Sequence, residues 1–222
     1  MTRQALIIGA SRGIGLEFVR QYRADGWQIW ATARKEEDLA HLRELGATAI
    51  KLDVADAASS SGLAWQIDGC AFEVAVVNAG VNARSNGLAT PTAETFDHVM
   101  HTNVLGPMRV IPQLVDALAP NARLGVLSSR MGSIGARASN SDWLYRASKA
   151  AVNSVLKDAS LALAGRAICV SFHPGWVRTD MGGGGADISV KTSVAGLRAV
   201  LAGLKPEHNG GYFNYDGQPI PW

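Results

Sequence analysis

Short apolar runs rich in β-branched residues recur along this chain, and between them lie longer stretches in which apolar residues return every three to four positions. The first kind reads as strands buried on both faces, the second as helices that bury one stripe. The runs predict strands at 5–8 (Ala-Leu-Ile-Ile), 28–33, 48–52, 73–77, 123–128, 167–172 and 211–215. Ile14, Phe18 and Tyr22 mark one face of a first helix that Asp25-Gly26 ends, and Leu39, Leu42 and Leu45 mark a second, closed by Gly46. Thr90-Pro91 has the chemistry of an N-cap and first-turn pair. It opens a helical segment to about Leu118, which Gly106-Pro107 is expected to split in two. A long helix is expected over about 143–163, and Val190, Val194, Leu197, Leu201 and Leu204 make the last apolar stripe. Strand and helix in alternation predict an α/β fold: a single domain over 1–222, built on one doubly wound, seven-stranded parallel sheet with helices on both faces. No internal repeat or domain linker interrupts the pattern.

Composition narrows the function classes. With 47% apolar and 18% charged residues, disorder, collagen and disulfide-stapled modules are excluded. The 21 basic residues are dispersed and nearly balanced by 19 acidic ones, so neither nucleic acid nor a membrane surface is expected as a partner. The longest apolar runs fall far short of the ~18 residues of a membrane-crossing helix, and the first residues lack the apolar core of a signal peptide; a cytoplasmic protein is expected. Cys70 and Cys169 are far apart without metal-type spacing, and His98 and His101 lack companion ligands, so reduced thiols and no metal site are expected. Glycine alone is in excess, 24 of 222 residues, about 11% against ~7% on average.

The excess has a first address in Gly9-Ala10-Ser11-Arg12-Gly13-Ile14-Gly15, where the first strand turns into the first helix. Backbone N–H groups and a helix N-terminus face outward together at such a turn and attract an anion. A side chain at Gly9 would strain the turn, one at Gly13 would block a pyrophosphate, and one at Gly15 would push the helix off the sheet. Gly9 to Gly13 also fits the G-x-S-x-G elbow of a hydrolase nucleophile, but that elbow needs strands before it and only eight residues precede Gly9. The second strand ends Trp30-Ala31-Thr32-Ala33-Arg34, with no acidic residue to receive ribose hydroxyls. Arg34 and Arg12 suit a ribose 2′-phosphate instead, which favours NADP(H) over NAD(H); for Arg34 the alternative is a solvated charge at a helix start.

Tyr145 and Lys149, four apart on the long helix, lie on one face. A nearby cation favours the phenolate, lowers the tyrosine pKa from ~10 and makes it a usable acid or base. By spacing alone the pair is weak, since many surface helices carry one by chance.

Order makes it stronger. The glycine turn, Asn78-Ala79-Gly80, Asn103, Ser128-Ser129, Tyr145-x-x-x-Lys149 and Pro174-Gly175 follow one another at predicted strand ends over essentially the whole chain. In this the sequence resembles the short-chain dehydrogenase/reductase family. Ser128 to Ile134, His173 to Val177, Thr179 to Gly183, Asn214 to Gly217 and Pro221-Trp222 resemble its C-factor and Sniffer-like carbonyl reductase branch. The resemblance implies a Rossmann fold and four catalytic residues. Tyr145 would exchange a proton with the substrate oxygen, Lys149 would bind the nicotinamide ribose and lower the Tyr145 pKa, Ser129 would bond the carbonyl, and Asn103 would hold a water linking Lys149 to solvent. It assigns the cofactor to Gly9, Ser11, Arg12, Gly13, Ile14, Gly15 and Arg34, with Asp53 and Val54 at the adenine and Asn78, Ala79 and Gly80 at the adenosine ribose. Pro174, Gly175, Val177 and Thr179 would complete the cofactor set, with Val177 and Thr179 at the nicotinamide carboxamide. Each role has a plainer alternative: Asp53 as a helix cap, Asn103 as a helix-bend residue, Ser129 as a strand-end hydroxyl with Ser133 as the fallback.

Ile8 and Val77 depart from the family's threonine and asparagine, so polar bonds near the sheet centre are expected to be missing. Residues 176–188 would be a flexible substrate loop in which Gly182 to Gly185 are too loose to preform a pocket wall, and His173 would support the turn before Pro174. A small carbonyl or alcohol substrate is implied, as is a homodimer or homotetramer formed through helices at about 104–118 and 143–163. The branch also admits a C-factor-like signalling or sensor protein that binds NAD(P) with little turnover.

Overall fold

The computed structural model describes residues 2–222. Its strands are β1 (Gln4–Ile8), β2 (Gln28–Ala33), β3 (Thr48–Lys51), β4 (Phe72–Val77), β5 (Leu118–Leu127), β6 (Ala167–His173) and β7 (Gly211–Asn214). Its α-helices are α1 (Gly13–Ala24), α2 (Glu36–Glu44), α3 (Ala57–Ser61), α4 (Leu63–Gln66), α5 (Ala93–Met100), α6 (Gly106–Leu114), α7 (Trp143–Ala162) and α8 (Val190–Gly203). The seven strands form one parallel sheet in the order β3-β2-β1-β4-β5-β6-β7. This is the doubly wound Rossmann arrangement, and the expected fold class holds.

Period-two alternation divides the core. Ala5 and Ile7, Val74 and Val76, and Ile168, Val170 and Phe172 pack with α1, α2 and α8 on one face. Leu6 and Ile8, Ala75 and Val77, and Leu124 and Val126 pack with α6 and α7 on the other. Such strands are apolar throughout because neither face meets water. Strand order reverses between β1 and β4, and there the loops after the two strands part to opposite faces and leave a crevice at the carboxyl ends.

Three expectations shift. Helix α5 starts at Ala93 with Thr92 as its cap, accepting from the Thr95 N–H at 3.1 Å, rather than at Thr90-Pro91. Gly106-Pro107 divides the segment as expected, with α6 beginning at Gly106, but the chain stays helical across the division: His101–Leu105 form a π-helical turn between α5 and α6 in which the Gly106 N–H reaches the His101 carbonyl. Pro107 has no N–H for the Asn103 carbonyl four residues back, so the wider register loses no α-helical bond there. Strand β5 begins at Leu118, and its pairing with β4 is irregular between Phe72 and Val74; Pro120 and Asn121 (φ 59°) make that stretch read as a turn. The short α3 and α4 went unpredicted because the small residues of 57–62 carry no helical stripe.

Candidate active site

The crevice begins at the glycine turn. Gly9 has φ +84°, and a β-carbon there would lie 2.8 Å from the Ala79 backbone; one at Gly15 would overlap the Gly9 carbonyl. Polar groups hold the turn from both sides. Thr32 of β2 accepts the Gly9 N–H at 2.9 Å through its hydroxyl and the Ala10 N–H at 2.8 Å through its carbonyl. Asn78 donates its amide to the Gly9 carbonyl at 2.5 Å, while the Asn78 and Ala79 N–H groups both reach the Ile8 carbonyl. Hence Ile8 and Val77 do not leave the sheet centre without polar bonds; Thr32 and Asn78 supply them from neighbouring strands.

From this turn a cleft of about 460 Å³ runs past Ser11, Arg12, Gly13, Ile14, Arg34, Asp53, Val54, Asn78, Ala79 and Gly80 to Tyr145, Lys149, Pro174 and Thr179. No histidine lines it, so Ser11 lacks the base a nucleophile elbow requires. Arg12 pairs with Asp180 at 2.8 Å, and Arg34 lies 3.8 Å from Asp53, whose other oxygen accepts the Ala55 N–H. The cap of α3 is Asp56, not Asp53. All four charged groups of these pairs are substantially exposed, so each pair is weak and an incoming phosphate can compete for both guanidinium groups. Glycine backbone, a helix N-terminus and two arginines fit the diphosphate and 2′-phosphate of a dinucleotide.

Helix α7 carries the Tyr145 and Lys149 pair. Its buried face includes Tyr145, Ser148, Lys149, Val152 and Leu156, so four-residue spacing turns Tyr145 and Lys149 inward together. Lys149 Nζ lies 5.7 Å from the Tyr145 ring centre and donates to the Leu127 carbonyl at 2.9 Å. Burial lowers its pKa to about 8, and burial raises that of Tyr145 to about 12, against the pull of the Ser129 hydroxyl. The expected lowering of the phenol by Lys149 is therefore reversed in the cofactor-free protein. Loss of water outweighs a cation held several ångström away and itself pushed toward neutrality. Asn103 sits behind the centre. Its amide donates to the Val81 carbonyl and Ser148 hydroxyl and accepts the Val81 N–H, so both side-chain donors serve the protein itself.

A second cavity of about 890 Å³ opens beyond Tyr145 and shares Ile14, Ser128, Tyr145, Pro174, Thr179 and Met181 with the first. Ser129, Gly175 and Val177 line only this larger space, and Gly15 and Asn103 line neither. Residues 176–188 close on themselves rather than forming a loose linker. Ile188 N–H donates to the Trp176 carbonyl, Trp176 Nε1 donates to the Gly182 carbonyl at 2.9 Å, and Arg178 donates to the Ala186 carbonyl. Gly182, Gly183 and Gly185 thus form part of the wall, contrary to expectation. His173 also lines the cavity and does not support the turn: its Nδ1 has no partner, burial and Arg130 lower its pKa to about 4, and Ser193 instead holds the Pro174 carbonyl. Ser133 cannot replace Ser129, since it is fully buried and donates to the Pro221 carbonyl.

Several supporting residues escaped the sequence reading. The Tyr212 hydroxyl donates to the Ser129 carbonyl, and its ring stacks on Trp222 at 5.2 Å. Asp142, in the left-handed region (φ 53°), exchanges two bonds with the Ser85 backbone and ties opposite walls of the cavity. Only the pairing of C-terminal aromatics with a motif some ninety residues upstream reveals the first, and no local pattern marks the second.

Known proteins resemble this chain in sequence and fold. The short chain dehydrogenase profile matches residues 3–186. The C-signal of Myxococcus xanthus is 37% identical over 153 residues, 68% of this chain and 92% of that protein. A short-chain dehydrogenase/reductase from Burkholderia multivorans, solved with bound NADP, superposes with a TM-score of 0.91 at 30% identity over all of both chains. The carbonyl reductase Sniffer of Drosophila melanogaster does so with a TM-score of 0.92 at 28% identity, again over all of both chains. With a glycine turn, an inward Tyr-Lys pair and a strand-end serine meeting at one crevice, the chain belongs to the short-chain dehydrogenase family, in the branch of C-signal and Sniffer.

Proposed function

We propose that this protein is an NADPH-dependent reductase of small carbonyl compounds, with Tyr145 as the general acid. The observation that carries the reading is the junction of the two cavities at Tyr145: dinucleotide-type groups lie on one side, and Ser129 lies on the other. Bound NADPH supplies a hydride to the carbonyl carbon; the protein supplies position, charge and the proton. Arg12 and Arg34 hold the 2′-phosphate, the N-terminus of α1 receives the diphosphate, Asp53 and Val54 border the adenine, and Thr179 and Val177 border the nicotinamide. Ser129 donates to the substrate oxygen and fixes it beside the phenol. With its pKa raised to about 12 by burial, Tyr145 holds its proton at neutral pH, and releasing it in the reducing direction depends on groups that favour the phenolate. Lys149, still largely cationic at pH 7 with its pKa near 8, favours the phenolate left behind. A water connecting Lys149 to solvent would meet Asn103 at its main chain, since the side-chain donors are committed.

The likeness to C-signal supports a second reading, an NAD(P)-binding signalling protein with little turnover, but a complete set of Asn103, Ser129, Tyr145 and Lys149 favours chemistry. Steady-state assays decide between them. Activated aldehydes and ketones should be reduced with NADPH at a lower KM than with NADH, and Tyr145→Phe should lower kcat roughly 10²–10⁴-fold, the usual contribution of a positioned proton donor, while NADPH still binds. An inert panel of carbonyls, or an unimpaired Tyr145→Phe enzyme, refutes the reductase.

A further inference from the structure

The larger cavity has a charge pattern that reduction of a carbonyl does not require. Its lining holds three cations, Arg84, Arg130 and Arg146, against one acid, Asp142, on a chain whose net charge is only +2. None of the three arginines has a carboxylate within ion-pair distance among the described residues. Asp142 is occupied elsewhere, one of its oxygens accepting the Ser85 N–H at 2.7 Å.

The arginines differ in how they are held. Arg146 is buried and donates to the Ser141 carbonyl and the Ser139 hydroxyl, so it shapes the wall and contributes charge. Arg84 spends one N–H on the Met181 carbonyl at 3.0 Å across the mouth. Arg130 makes no side-chain hydrogen bond among the described residues, and its charge reaches into the cavity, where it helps depress the imidazole of His173. It also directly follows Ser129. Both residues line the same cavity, so a substrate whose carbonyl is bound at Ser129 shares that space with this long, unpartnered guanidinium side chain. Unpartnered Asn82 Oδ1, Ser85 Oγ and His173 Nδ1 all belong to the same wall, so polar atoms free to bond a ligand are set into an otherwise largely apolar lining.

We infer that the substrate is an acidic carbonyl compound, whose carboxylate or equivalent anion is received by Arg130, with Arg84 adding charge at the mouth. This rests on the reductase reading and names its substrate class. A guanidinium without an internal carboxylate offers paired N–H donors at no cost of breaking a salt bridge, and charge-assisted bonds are the strong ones.

The test uses an isosteric pair, 4-carboxybenzaldehyde and methyl 4-formylbenzoate, with NADPH, and the corresponding alcohols as ligands in calorimetry with NADP⁺ present. Wild-type kcat/KM should favour the carboxylate by about tenfold or more, the effect of about 1.4 kcal/mol. Arg130→Met should bring that ratio close to one through KM for the aldehyde with KM for NADPH unchanged, and Arg130→Glu should invert it. The calorimetric preference for 4-(hydroxymethyl)benzoate over its methyl ester should vanish with the same substitutions. Equal use of acid and ester by the wild type, a ratio insensitive to Arg130, or a rise in KM for NADPH instead overturns the inference and leaves the reductase intact. If these aldehydes and the wider panel of carbonyls are all inert but 4-(hydroxymethyl)benzoate still binds in an Arg130-dependent manner, the reductase fails and the anion site stands; no binding and no turnover removes both.

Discussion

At the scale of single residues, burial sets the chemistry. Tyr145 and Lys149 are recognisable four apart in the chain, but their proton affinities are not, because those depend on how much water each loses. Lys149 illustrates the cost. A drop from 10.5 to about 8 means that holding its charge in the folded protein costs ~3 kcal/mol at pH 7. Lys149→Met should therefore raise the Tm of the cofactor-free protein by a few degrees, part of the gain being lost through the stranded Leu127 carbonyl, while abolishing turnover. A fall in Tm would show that Lys149 stabilises the fold and that its burial is not a cost. The same residue scale settles the fallback: Ser133 has the right chemistry and nearly the right position, but only the tertiary structure reveals that its hydroxyl is spent on Pro221.

Elements place these residues, and the loop after β5 is the clearest case. Ser129 to Gly135 is held on one side by α7, where a β-carbon on Gly132 would lie 2.7 Å from the Lys149 backbone. On the other side Tyr212 of β7 bonds the Ser129 carbonyl, and the Pro221 and Trp222 carbonyls receive the Ser133 hydroxyl and the Gly135 N–H. The chain's last residues thus strap down the loop that bears Ser129. Tyr212→Phe should lower kcat several-fold, as loss of a buried hydrogen bond worth ~1 kcal/mol does, with KM for NADPH unchanged. Removing residues 221–222 should have a larger effect of the same kind. If KM for NADPH changed and kcat did not, the strap would serve the cofactor cleft instead. The glycine turn was legible from its residues because three glycines between strand and helix leave few alternatives. Its bracing by Thr32 was not, since a threonine at the end of a strand has no local mark of what it will bond.

For the whole molecule, the buried titratable groups predict how stability follows pH. Tyr22, Tyr145 and Tyr212 are raised from 10.0, and Cys169 from 9.0, to about 12, chiefly by burial. Each binds its proton more tightly folded than unfolded, so its contribution is complete below pH 9–10 and is lost as pH rises toward 12. Lys149 works the other way, since its unfolded form holds the proton longer between pH 8 and 10.5, but it is one group against four. The urea midpoint should therefore fall steeply between pH 9 and 12, and a flat profile there would mean that these hydroxyls and the thiol are hydrated. His173, lowered to about 4, adds a smaller loss as pH falls from 6.5 to that value. The number and approximate places of the strands, the α/β class, the glycine turn and the order of the motifs follow from the sequence alone, because each rests on local periodicity or on a short string of residues. Tertiary structure decides the rest: whether Gly182 to Gly185 wall a cavity, which serine is free, how the π-helical turn absorbs Pro107, and that three unpaired arginines share one space. Those outcomes depend on bonds between residues far apart in the chain, whose distances no pattern within a single stretch of sequence contains.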